Sequence, residues 1–271
     1  MDWRDQCEQK LVSAQEAVNA VQNGDSVQFN WLHATPLTLC EALMARKEEL
    51  REVKVGTIGP LFDWDQPGAD QAFTIQTPYL GVKTRPPMDK GNVDFIPVMY
   101  YRHGELPPGI ICDVYMTPVS APDKHGYCSF GSGLFMSKTM AAAARTVVGE
   151  VHEDFIRTGG ENYIHVSEID YFVEPTTPPA ALPATQRSEE EVAMTEVICT
   201  LIAAELIRDG DTVQIGLGSV SSPIGMYLGN KNDLGIHTEV IPGGIARLVN
   251  EGVITGKYKK INPGKVVASA G

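Results

Sequence analysis

Short runs dense in apolar and β-branched residues recur through the first two thirds of the chain: VKVGTIG, VDFIPVMYY, ICDVYMTPVS, RTVVGEV and YIHVSEIDYFV. Between them lie stretches of helical periodicity, such as LTLCEALMARK and SKTMAAAARTV. Strands alternating with helices predict an α/β fold with a largely parallel sheet, because parallel neighbours need a crossover and the crossover helices cover both faces.

One pattern occurs twice. GDSVQF at 24–29 returns as GDTVQI at 210–215, 186 residues on. Each copy follows a helix-like stretch opened by serine and glutamate in capping-box spacing, Ser13 with Glu16 and Ser188 with Glu191. Each leads into a turn-rich stretch ending in proline, NWLHATP at Pro36 and GLGSVSSP at Pro223. The repeated unit reads as helix, Gly-Asp turn, strand, loop and second helix. Residues 174–187, EPTTPPAALPATQR, hold four prolines and read as a linker. The expected organisation is therefore two similar open-sheet α/β domains, 1–173 and 188–271, joined by 174–187. A second copy as long as the first would run about 100 residues past Gly271, so the second domain is expected to be incomplete here. Its remainder would come from a partner polypeptide or lie beyond a truncation, unless self-association in a homo-oligomer covers the exposed strands.

Composition narrows the function. Of 271 residues, 43% are apolar and 21% charged, enough for a sizeable core. The formal charge of −12 argues against a nucleic-acid footprint and against general attraction to an anionic membrane. An anionic ligand must then be met by local donors. Cys7, Cys40, Cys112, Cys128 and Cys199 are odd in number, far apart and without a CxxC pair, which fits reduced thiols in a cytoplasmic protein. The start shows no signal-peptide pattern, and no apolar run is long enough to span a bilayer. The six histidines show neither HxH nor HExxH spacing, so no metal is expected.

Two segments carry candidate chemistry. VSAPDKHGYCSFG, Val119–Gly131, follows an apolar strand, where open α/β sheets place ligands; it reads equally as an ordered connection with Asp123 capping a turn. QIGLGSVSSPIG, Gln214–Gly225, presents backbone N–H groups without bulky side chains, suited to a phosphate or an oxyanion. It fails as a dinucleotide fingerprint because Ser221 stands where a third glycine is needed. LGIHTE then sets Glu239 at a strand end. Lys257, Lys259, Lys260 and Lys265 form the densest basic cluster, either a phosphate-attracting patch or a solvated face.

Together VSAPDKHGYCSFG, GGENYIHVSEIDYFVE, GDTVQIGLGSVSSPIG, LGIHTE and EGVITGKYKKINPGK resemble the acetyl-CoA hydrolase/transferase family, and within it the glutamate-dependent 4-hydroxybutyrate CoA-transferases. The resemblance implies that Glu239 is a nucleophile exchanging CoA between an acyl-CoA and a small carboxylate, with coenzyme A as substrate and no tightly bound cofactor. It implies oxyanion donors at Gly216, Leu217 and Gly218, and a substrate-positioning role for Gln214. Two departures stand out. Trp31 and His33 occupy positions that would shape a smaller or aromatic acyl pocket, and Val240-Ile-Pro-Gly-Gly follows the glutamate where the family reads otherwise. A hydrolase of the same fold and a non-catalytic structural subunit stand as alternatives.

Overall fold

The apolar runs of the first unit pair into one eight-stranded sheet, parallel throughout. This computed structural model describes residues 2–99, 106, 109–181 and 187–270. Two compact units are present, Met1–Leu182 and Pro183–Gly271. In chain order the first holds α1 (Trp3–Lys10), β1 (Leu11–Val12), α2 (Ala14–Ala17), β2 (Ser26–Phe29), α3 (Leu37–Ala45), β3 (Val53–Gly56), β4 (Phe73–Thr77), α4 (Arg85–Asp89), β5 (Val93–Phe95), β6 (Val114–Ser120), β7 (Tyr127–Ser129), α5 (Ser137–Ala143), β8 (Thr146–His152), β9 (Tyr163–His165) and β10 (Tyr171–Val173). The second holds α6 (Glu189–Leu201), β11 (Thr212–Val213), β12 (Gly235–Val240), α7 (Ile245–Asn250) and β13 (Val267–Ala270).

The large sheet runs β1-β10-β8-β6-β2-β3-β4-β5. From β2 the chain builds outward through β3, β4 and β5, then crosses back to lay β6 on the other side of β2. That reversal opens a crevice at the carboxyl ends of β2 and β6. Alternate residues of β6 feed two cores: Val114 and Met116 join Val27, Leu39, Leu43 and Val55, while Tyr115 and Val119 join Phe130, Ile169 and Phe172. Both faces are covered, which explains why β6 is buried at every position. Two sequence runs are shorter as strands than their apolar length suggests. VDFIPVMYY is a strand only over Val93–Phe95, because Pro97 has no N–H for the ladder; its Tyr100 and Tyr101 lie outside the described residues. YIHVSEIDYFV breaks into β9 and β10 around a turn that Glu168 caps, its carboxylate accepting from the His165 amide at 3.0 Å.

The duplication extends to single hydrogen bonds. Both predicted capping boxes form, at Ser13 and at Ser188. Gly24 and Gly210 take φ of +81° and +80°, a left-handed turn that glycine adopts without Cβ strain. Asp25 and Asp211 then close that turn, their carboxylates accepting from the amides of Gln22 at 2.9 Å and Arg208 at 2.8 Å. Even the strained residues correspond, Glu52 at φ +59° and Asp233 at +55°. The register Ser26↔Lys54 and Val27↔Val55 reappears as Thr212↔Gly235 and Val213↔Ile236, and β11-β12-β13 is a parallel sheet like β2-β3-β4.

The second helix of the unit differs between copies. In the first it is α3, nine residues; in the second it is a 3₁₀ stretch, Ser222–Tyr227. Pro223 and Gly225 are poor interior residues for an α-helix, and Gly225 sits so near the Gly243 carbonyl that a Cβ would come within 3.0 Å of that oxygen. The early part of the proline-rich stretch lies on the first unit, with the Thr176 amide donating to Thr38 Oγ1 at 2.9 Å and Ala180 buried. Among the described residues no helix is long and apolar enough to cross a membrane, and no cluster of three His, Cys, Asp or Glu could hold a metal. All five cysteines are free thiols, and burial pushes Cys112 and Cys128 up to about 12.

Candidate active site

In the second unit β11 and β12 place the glycine-rich loop beside the glutamate. The ladder ends at Val213↔Ile236, and one hydroxyl carries the register onward. Thr238 Oγ1 accepts from the Ile215 amide at 2.7 Å and donates to the Ile215 carbonyl at 2.6 Å. In step with that pair, Gly216 falls opposite Glu239, and strand alternation puts Gln214, His237 and Glu239 on one sheet face. All three are exposed. Glu239 makes no hydrogen bond or ion pair with the described residues, and its side chain is exposed to solvent.

The loop is held by its own turn. Ser221 Oγ donates to the Gly216 carbonyl at 2.8 Å, the Ser222 amide to the Gly218 carbonyl at 3.0 Å, and the Arg187 guanidinium to the Ser219 carbonyl at 3.1 Å. A Cβ on Gly216 would meet nothing within 4 Å, so packing does not demand glycine there; what its absence keeps is room. Gln214, Gly216 and Gly218 line a depression of about 590 Å³ at the free edge of β11, together with Val213, Ile215 and Ser221. Leu217 projects into solvent at 53% exposure, and neither it nor Glu239 lines that depression.

The corresponding corner of the first unit has the opposite character. Gln28, Asn30 and Trp31 stand where the second copy has Gln214, Gly216 and Leu217, and Ile58 stands where it has Glu239. Gln28 is buried, its amide donating to the Ile111 carbonyl at 2.8 Å. Asn30 is a hub: its side-chain NH₂ reaches Thr117 Oγ1, the Gly133 carbonyl and Ser137 Oγ at 3.0–3.1 Å, while its oxygen accepts from the Trp31 amide. Trp31 packs on Phe135, ring centroids 5.2 Å apart, and lines a cavity of about 40 Å³. His33 does not line it. Its Nε2 meets Ser132 Oγ at 2.5 Å, and burial lowers its pKa, so the imidazole is held neutral.

VSAPDKHGYCSFG is an ordered connection. Asp123 Oδ1 accepts from the His125 and Tyr127 amides at 2.8 and 3.0 Å, and the Tyr127 bond is the first cause of its lowered pKa. Gly126 and Gly131 sit at φ +84° and +67°. The basic cluster is corrected by the structure at Lys259, which is 6% exposed. Its ammonium donates to the Ile236 and Lys265 carbonyls at 2.7 and 2.6 Å, so it clamps β12 to the 256–265 loop and offers nothing to a phosphate. Lys257 pairs with Asp233 at 3.5 Å, leaving Lys260 and Lys265 as solvent-facing charges.

The sequence profile of the acetyl-CoA hydrolase/transferase N-terminal domain matches residues 1–183. The chain belongs to the acetyl-CoA hydrolase/transferase family. It is 35% identical over 99% of its length to the 4-hydroxybutyrate coenzyme A transferase of Clostridium kluyveri, of which it covers 62%. It is 31% identical over 96% of its length to the succinyl-CoA:cyclohexane-1-carboxylate CoA transferase of Geobacter metallireducens, covering 59% of that protein. Among solved structures it is similar to RipA from Yersinia pestis, with TM-score 0.87, 27% identity, and coverage of 100% of this chain and 65% of that one. For the 4-hydroxybutyrate CoA-transferase from Porphyromonas gingivalis the TM-score is 0.76, the identity 30%, and the coverage 99% and 64%. The chain thus spans less than two thirds of these relatives.

Sequence reasoning missed a buried pair in this acetyl-CoA hydrolase/transferase domain. Glu150 Oε1 meets His152 Nε2 at 2.8 Å, and Glu150 Oε2 accepts from the Leu39 amide at 3.1 Å, inside the first turn of α3. Glu150 is 1% exposed, and its carboxylate fixes where α3 begins against β8. The signal was available only as two ionisable residues inside an otherwise apolar strand, TVVGEVH.

Proposed function

We propose that this chain carries the nucleophilic carboxylate of a CoA-transferase, and that Glu239 is that group. The observation carrying the proposal is the contrast between the copies: a free, exposed glutamate facing a glycine loop in the second unit, where the first has Ile58 and the buried, hydrogen-bonded Asn30. Both relatives at 31% and 35% identity are named as CoA transferases, which supports the reaction class. Glu239 attacks the thioester carbonyl, the C–S bond breaks, and CoA leaves as thiolate, giving a mixed anhydride. The thiolate attacks the Glu239 carbonyl and expels the first acid, leaving a glutamyl-CoA thioester. An incoming carboxylate reverses both steps, a ping-pong exchange in which each bond broken is matched by one formed. Each tetrahedral intermediate carries an oxyanion that the N–H groups of Gly216, Leu217 and Gly218 would stabilise, and Gln214, on the same face as Glu239, would position the substrate. Coenzyme A is a substrate in this scheme and no tightly bound cofactor is invoked.

Trp31 is proposed to shape the acyl pocket, with His33 bracing that region through Ser132. Met194, Val197 and Leu201 of α6 are 57–59% exposed, which supports covering of the second unit by a partner polypeptide or by self-association in the cytoplasm. Incubating the completed assembly with acyl-CoA alone, then borohydride, should convert Glu239 and no other residue to the alcohol. Glu239→Gln should lose transfer by several orders of magnitude, since an amide is no nucleophile. Transfer that survives Glu239→Ala would overturn the assignment. Release of free CoA with water alone, undiminished when the acceptor acid is omitted, would favour the hydrolase; no labelling and no turnover would leave the structural subunit.

A further inference from the structure

A serine hydroxyl is a weak nucleophile until a base within hydrogen-bond reach takes its proton, and a neutral imidazole is suited to that task. The first unit holds such a pair. Ser132 Oγ and His33 Nε2 lie 2.5 Å apart, brought together from positions 99 residues apart in the chain. Desolvation lowers the His33 pKa, so the ring is neutral at pH 7. With its proton on Nδ1, the Nε2 lone pair accepts from the serine hydroxyl.

The turn that carries the serine is fixed on both sides. Ser132 directly follows VSAPDKHGYCSFG, between Gly131 and Gly133. Gly131 takes φ +67°, and a Cβ there would lie 2.2 Å from Phe155 Cε1. On Gly133 a Cβ would lie 2.4 Å from the Ala34 Cβ, next to His33. Both flanking carbonyls are occupied. That of Gly131 accepts from Thr158 Oγ1 at 2.7 Å and Asn162 Nδ2 at 2.9 Å, and that of Gly133 accepts from Asn30 Nδ2 at 3.0 Å and Ser137 Oγ at 2.5 Å. Among the described residues, the Ser132 hydroxyl has His33 as its partner and the Gly133 amide donates to no acceptor. That N–H, next after the serine, is available to a developing oxyanion. Ser132 is 7% exposed, while His33 is half-buried and reaches solvent. So narrow an approach admits only a small electrophile.

We propose that Ser132 is a second nucleophile of this chain, activated by His33, which accepts a small acyl group from an ester and passes it to water. Ser132 Oγ attacks the ester carbonyl carbon as His33 Nε2 takes the hydroxyl proton. The C–O bond to the alcohol breaks, and His33 gives that proton to the leaving alkoxide. Water, losing a proton to the same nitrogen, attacks the acyl-serine; the acid departs and the proton returns to Ser132 Oγ. This serine chemistry goes beyond the CoA-transfer reading and does not rest on it. The test is to incubate the 271-residue chain with p-nitrophenyl acetate, quench in acid and map the acetylated peptides by mass spectrometry. A burst of p-nitrophenolate should accompany an acetyl group on Ser132. Ser132→Ala should lose both, and His33→Gln should slow acetylation of Ser132 by about 10²- to 10⁴-fold. The unaltered chain decides the matter even where a variant fails to fold: no acetyl group on Ser132, or acetylation confined to other residues, would overturn the proposal. Undiminished acetylation of Ser132 in a folded His33→Gln protein would overturn it as well. Glu239 is read by borohydride reduction of a CoA thioester in the completed assembly, so either assignment can fail while the other stands.

Discussion

Thr57 and Thr238 occupy the same place in the two copies, one residue past the Gly56 and His237 positions of β3 and β12, yet the same substitution should act on them with opposite sign. Thr238→Val removes a hydroxyl that both accepts from and donates to the Ile215 backbone at 2.7 and 2.6 Å. Ile215 is 2% exposed, so its N–H and C=O would be stranded out of reach of water. Two buried backbone groups left unpaired cost about 2–5 kcal/mol in sum. Thr57 Oγ1 has no partner among the described residues. Replacing it with valine keeps the volume and removes a desolvated hydroxyl, which should leave stability unchanged or raise it by up to about 2 kcal/mol. The two units can be read separately, because Trp3, Trp31 and Trp64 all lie in the first. Urea unfolding followed by tryptophan fluorescence reports Thr57→Val. Amide exchange across Thr212–Gly216 and Gly235–Val240 reports Thr238→Val. Comparable losses at both positions, or a Thr238→Val protein with unchanged exchange, would refute the reasoning.

Lys259→Met should destabilise the second unit by about 1–3 kcal/mol, since the Ile236 and Lys265 carbonyls lose their donor. Lys260→Met, on an exposed residue, should stay within about 0.5 kcal/mol, and urea unfolding followed by circular dichroism compares the two. His33 is half-buried and desolvation lowers its pKa, so the folded state binds its proton less readily than the unfolded chain. Its contribution is absent above the ordinary imidazole range, and destabilisation grows as pH falls from about 6.5 through the lower folded value. His33→Gln should remove that part of the acid sensitivity of the tryptophan-monitored transition, and an unchanged pH profile would show that the imidazole takes up its proton in place.

What the sequence by itself determined is the duplicated framework. Ser13 with Glu16, Gly24 with Asp25, and their counterparts Ser188, Glu191, Gly210 and Asp211 act over three residues or fewer, so cap and turn are written in adjacent letters and form as read. Strand existence was legible for the same reason, although Pro97 and the Ser167–Glu168 turn shortened two runs. The candidate site was legible as two motifs, the glycine loop and Glu239, and the β11–β12 register brings them side by side. The tertiary structure alone decided which copy is open and which is closed. That depends on Gln28 meeting Ile111 and on Asn30 meeting Thr117 and Gly133, contacts 83 to 103 residues apart. It also turned Lys259 from a surface charge into a buried clamp, and placed Trp31 and Thr57 on one cavity. Local hydrogen bonds need only neighbouring residues, whereas burial is a property of what the rest of the chain brings to a side chain, and no spacing pattern states it.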